Sequence, residues 1–151
     1  MRTKKELCNG LHQFLGLRSN LIAVRMLRDE SEIPANAVRP LRDTGHHLSM
    51  CQAFSLARRQ GQTIAMLHQD NWCVEPVIGF GYTEVPEYFL TGANRYPESA
   101  SSLEAGSKWA KNMPKIAPGQ YIGVLAGPWE TVEFEPDVVL MYCDPAQLTH
   151  L

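Results

Sequence analysis

The sequence predicts one mixed domain over residues 1–151, α/β or α+β, with short strands and about three to four helices. Two patterns point to this class. Apolar residues recur at helical spacing in residues 4–17, 48–59 and 102–113. Between them lie short runs rich in β-branched and apolar residues, which read as strands. The separations do not fix parallel against antiparallel pairing. An apolar content of 44% and a charged content of 20% are ordinary for a globular chain. A chain of this length buries roughly 68–70% of its unfolded surface, so it needs neither disulfide nor metal merely to fold.

The first element is a helix from Lys4 to Leu17, with Leu7, Leu11, Phe14 and Leu15 on one face and Gly16 near its end. Leu21–Leu27 reads as a strand, because Ile22, Val24 and Met26 alternate with Ala23 and Arg25. Asp29–Asp43 is polar, holds Pro34 and Pro40, and reads as a loop. Leu48–Arg59 is a second helix that places Leu48, Cys51 and Phe54 or Ser55 on a common face, and Gly61 ends it. Thr63–His68 is a second strand. Asp70–Ser102 is rich in glycine and proline, with a short helix after Cys73 and turns at Gly79-Phe80-Gly81 and Gly92. Ser102–Met113 is a helix stopped by Pro114. Tyr121–Ala126 and Val138–Tyr142 are strands, and Thr131–Glu135 is a further strand candidate. Asp144 then suits a helix N-cap and Pro145 the first helical position. That helix has run about two turns at Leu151. A helix so short is marginal alone, which suggests that the chain carries the N-terminal part of a longer pattern.

The net charge is −2, from 14 basic and 16 acidic residues. No broad phosphate-binding field follows, so nucleic acid is a poor partner. Arg58-Arg59 reads as one solvated helix end. The basic start is followed by Glu6, Asn9, His12 and Gln13, which break any signal-peptide core. No run approaches the ~18 apolar residues of a membrane span. A cytoplasmic protein with no membrane partner is expected.

Five segments resemble domain-of-unknown-function family 169, an uncharacterised archaeal and bacterial family. They are Leu15–Leu27 (LGLRSNLIAVRML), Ile33–Pro40 (IPANAVRP), Ser49–Gly61 (SMCQAFSLARRQG), the cysteine of Asn71–Cys73, and Pro136–Leu148 (PDVVLMYCDPAQL). The resemblance implies that Cys51 and Cys73 occupy family cysteine positions. It also implies that the family pattern continues beyond a PAQ helix into a second half with further cysteines. It supplies no activity.

The four cysteines (Cys8, Cys51, Cys73 and Cys143) are widely spaced and form no CxxC motif, so free thiols or ligands are expected in a reducing compartment. Two thiolates at Cys51 and Cys73 suit zinc or an iron–sulfur cluster, with the remaining ligands supplied from elsewhere. His47 and His68 are weaker candidates for a mixed zinc site. Were the second helix to begin early, His47 and Cys51 would share a face as a base–nucleophile pair. His46 and His47 otherwise read as loop or cap residues. Cysteine is also among the most buried residue types. Cys8 and Cys143 are expected to pack, and so is Cys51 beside Leu48 and Phe54. Asp70, Glu75 and Glu84 read as solvated loop acids. Gly79-Phe80-Gly81 lacks the strand–loop–helix context of a phosphate cradle. Trp72, Trp109 and Trp129 suit a core or a pocket wall. Three functions compete: a metal- or cluster-binding redox protein, a small-molecule-binding module whose pocket lies in Asp70–Ser102, and a thiol enzyme using Cys51. A homodimer is a further expectation.

Overall fold

The computed structural model describes residues 3–151. It is an α+β fold whose four strands form one antiparallel sheet in the order β2-β3-β1-β4. The strands are β1 (Ile22–Leu27), β2 (Ile64–Leu67), β3 (Gly123–Pro128) and β4 (Val138–Leu140). Around them run α1 (Lys4–Leu15), α2 (Pro40–Thr44), α3 (Met50–Gln60), α4 (Val74–Gly79), α5 (Glu87–Leu90), α6 (Leu103–Asn112) and α7 (Pro145–Leu148). Seven α-helices among the described residues exceed the three to four expected, because four of them are of six residues or fewer. Such helices leave too short a stretch for a periodic pattern to show.

The chain divides into two compact units, the described residues of Met1–Cys73 with Ile122–Leu151, and Val74–Tyr121. The first holds the sheet. β1 lies between β3 and β4, with Ile22 opposite both Pro128 and Leu140. β2 pairs with the other side of β3, Ile64 opposite Ala126. β2 and β3 are buried along their whole length, as are Ile22–Val24 of β1. Both faces of β2 and β3 are therefore covered, and no strict alternation shows in either. One face gathers Leu27, Ala65, Leu67 and Leu125 with Ala37, under Ile33, Ile122 and Phe134. Helix α3 packs on β1, β2 and β3. A second cluster joins Cys8 of α1 to Leu17 and Leu21, with Trp129, Val139, Met141 and Cys143 against it.

Two expectations for this unit are corrected. Asp29–Asp43 is not a plain loop. Asp29 and Glu32 cap a 3-10 turn over Glu30–Glu32, and Pro40 opens α2 at the first helical position. Proline there starts a helix instead of breaking one, since its missing N–H has no helical acceptor to lose. Thr131–Glu135 forms no strand. The N–H groups of Thr131 and Val132 turn back onto the Pro128 carbonyl, at 3.0 and 3.1 Å. Val132 and Phe134 are held by packing instead of by a ladder. The β-branched residues there carried a propensity that tertiary context overrode.

The second unit is helical. Gly81, at φ 71°, makes the turn after α4, where an added Cβ would stand 2.7 Å from the Ile116 carbonyl. Gly92 and Gly106 meet where α5 and α6 pack, and a Cβ on Gly106 would stand 2.6 Å from the Gly92 oxygen. Ile78, Phe89 and Ala110 form its core, with Val85 and Met113.

Candidate functional site

The cysteine corner follows from two local signals. Ser49 and Gln52 form a reciprocal capping box that fixes the start of α3 at Met50. His47 therefore lies outside the helix, and the shared His47–Cys51 helical face does not form. Leu48 instead pairs in parallel with Asn71, its N–H donating to the Asp70 carbonyl at 2.9 Å. Trp72 Nε1 donates to Gln52 Oε1 at 3.2 Å. Cys51 and Cys73 thus flank a hydrogen-bonded pair on neighbouring segments. Cys51 is exposed and Cys73 partly covered. The buried face of α3 carries Met50, Ala53 and Ala57, so the expected apolar face through Cys51 is wrong by one position. His46, His47 and His68 are exposed. Among the described residues, no group of three or more His, Cys, Asp or Glu side chains is arranged to hold a metal ion.

Asp70 belongs to this corner as a structural residue, not the solvated acid expected from its loop position. It is 1% exposed. Its Oδ1 accepts the Leu41 N–H at 3.0 Å and its Oδ2 accepts the Leu67 N–H at 2.9 Å. One carboxylate thereby joins the first turn of α2 to the end of β2, as a buried charge must be satisfied by donors. Glu75 and Glu84 are exposed, as expected, and Glu75 lies 3.6 Å from Arg95. Trp72 is mostly exposed, Trp129 packs beside Cys8, and Trp109 lies under the Arg95 guanidinium at 3.9 Å.

Cys8 is buried as expected, at 1% exposure. Burial, with the nearby Glu130 carboxylate, pushes its thiol pKa up against the opposing effect of Lys4. That is the signature of an inert packed thiol. Cys143 packs against the same cluster while lining a cleft.

That cleft, of about 740 Å³, is lined by Arg18, Ser19, Asn20, Arg58, Arg59 and the Tyr142–Asp144 segment with Gln147. All nine residues come from three of the segments that carry the family resemblance. Each wall has a local cause. Gly16 takes a left-handed conformation (φ 63°) that ends α1 and turns the chain through Arg18 into β1. Asn20 closes the end of α3, its N–H donating to Arg58 O at 3.1 Å and its side chain to Ala57 O at 3.5 Å. This places Arg58 and Arg59 opposite the α1–β1 turn. Asp144 and Gln147 cap α7 reciprocally, as the Asp-Pro sequence predicts. Gln147 Nε2 also donates to Gly16 O at 3.0 Å, tying α7 to the end of α1.

The carbonyl ends of α1 and α3 would lend this region partial negative charge. Hydrogen bonds occupy the carbonyls of Gly16, Ala57 and Arg58, leaving the arginines to set the field. Three arginines line the cleft with one carboxylate, Asp144, whose Oδ1 accepts the Gln147 N–H. Among the described residues none of the three arginines forms an ion pair. The Arg58 guanidinium lies over the Tyr142 ring at 4.1 Å, and among the described residues its buried Nε has no hydrogen-bond acceptor. Arg59 is an exposed helix-end residue as expected, whereas Arg58 is stacked and half-buried. The residue pair was visible in sequence, but Arg18 and Tyr142 lie far from it along the chain, and only the fold brings them together.

No described helix is long and apolar enough to cross a membrane. A family profile described as DUF169, "Uncharacterised ArCR", matches residues 10–151. No curated protein and no solved structure matches the chain.

Proposed function

The chain belongs to domain-of-unknown-function family 169, and from that premise we propose that it is a binding module for a small anionic molecule, held in the Arg18–Arg58–Arg59 cleft. One observation carries this reading: among the described residues, three arginines without carboxylate partners line one cleft, one of them stacked over Tyr142. Arginine stacked on an aromatic ring keeps its N–H edge available for carboxylate or phosphate oxygens. The volume falls within the range of small-molecule pockets. The pocket of this reading lies outside Asp70–Ser102, where a loop-rich sequence first suggests one. The thiolate–metal reading has no complete donor set behind it among the described residues.

Thermal denaturation at constant ionic strength, with inorganic phosphate or pyrophosphate added, tests the proposal. The melting temperature should rise with anion concentration, because a ligand that binds only the folded state stabilises it by mass action. The Arg58→Met/Arg59→Met double variant should lose most of that rise. An equal rise in the double variant, or none in either protein, contradicts the reading.

A further inference from the structure

We infer that the arginine cleft selects a phosphate monoester over a carboxylate of equal charge, an inference that rests on the anion-binding reading above. A planar carboxylate offers two oxygens in one plane and is matched by one guanidinium edge. A phosphate monoester offers three terminal oxygens pointing in different directions, and carries close to two negative charges at pH 7. Here the guanidiniums come from two separate elements, Arg18 from the α1–β1 turn and Arg58 and Arg59 from the last turn of α3. The Arg58 guanidinium donates only within its own plane, and stacking on Tyr142 closes one face of it. A second side of the anion is left for Arg18. Three cations against the single carboxylate of Asp144 leave an excess of positive charge that suits either dianion, so geometry and not charge must separate the two. A cleft of about 740 Å³ has room beyond a bare phosphate for the organic part of an ester, with Ser19, Asn20 and Gln147 as neutral polar neighbours.

The test is calorimetric titration of the full chain at pH 7.5 with glycerol 3-phosphate and with succinate, two probes of nearly equal charge. Glycerol 3-phosphate should bind at least tenfold more tightly. Arg18→Met, at an exposed turn position, should weaken glycerol 3-phosphate by about tenfold while changing succinate affinity by less than threefold. Arg58→Lys keeps the charge but not the planar donor edge, and should narrow the preference. Succinate binding as tightly as glycerol 3-phosphate overturns the inference and leaves anion binding standing. Failure of both probes to bind overturns the anion-binding reading and the inference together. An Arg18→Met effect equal on both probes overturns the two-sided geometry.

Discussion

The arginine cleft and the cysteine corner belong to the same compact unit, yet they are built in opposite ways. In the cleft, three segments distant in sequence converge, and hydrogen bonds from Asn20 and Gln147 hold the elements that present the arginines. Among the described residues its arginines have no carboxylate partner. In the corner, Asp70 and the Ser49–Gln52 box are fully engaged, and the thiol of Cys51 faces solvent beside exposed histidines. A satisfied buried carboxylate fixes architecture, whereas unpaired cations on a fixed frame are available to a ligand. Among the described residues, the cysteines and histidines of the corner form no group of three or more that could hold a metal ion, whereas three arginines line one cleft.

The contrast can be broken at several points. The largest effect is expected at Asp70→Ala, which strands the Leu41 and Leu67 N–H donors in a buried site. It should cost about 3 kcal/mol, read as a lower urea midpoint, while Asp70→Asn, which keeps an acceptor, costs less. A loss under about 0.5 kcal/mol for Asp70→Ala would show that the carboxylate does not hold the corner. Next is Cys8→Ser, which buries a hydroxyl in an apolar cluster and should cost about 2 kcal/mol. The thiol itself should be the slowest of the four to react with iodoacetamide, since burial raises its pKa. Fast labelling of Cys8 in the folded protein would contradict its packed role. Arg58→Met comes third and should weaken phosphate binding about tenfold, about 1.4 kcal/mol. Unchanged affinity would remove Arg58 from the site. The smallest effect is expected at Cys51→Ser, within about 0.5 kcal/mol in stability because the side chain is exposed, and with no change in anion affinity. A tenfold change in that affinity would move the site to the corner.

The elements that sequence made legible are those with strong end signals. Gly16 and Gly61 end α1 and α3 in left-handed conformations, and Asp144-Pro145 opens α7. The α3 face was misread because Ala53 and Ala57 carry little hydrophobic signal, although the helix packs closely on the sheet through them. Pro40 was read as a breaker because the helix it opens is only five residues long. Asp70 looked like a loop acid because its partners, two backbone N–H groups, leave no trace in side-chain sequence. The cleft was illegible for a related reason. Arg18, Arg58 and Tyr142 become neighbours only through the β1–β3 and β1–β4 pairings and the close of α3 on Asn20. Even so, three segments already singled out by their family resemblance supply every residue of its lining.

The most direct test of the cleft against the corner is a nitrogen-15 NMR titration of the labelled chain with glycerol 3-phosphate, following backbone amides and arginine Nε–H groups. The account predicts saturable shifts at residues 18–20, 58–59 and 142–144, the largest at Arg58 Nε–H, with residues 47–52 and 71–73 unmoved. Shifts confined to the cysteine corner, or none that saturate in the cleft, would contradict it.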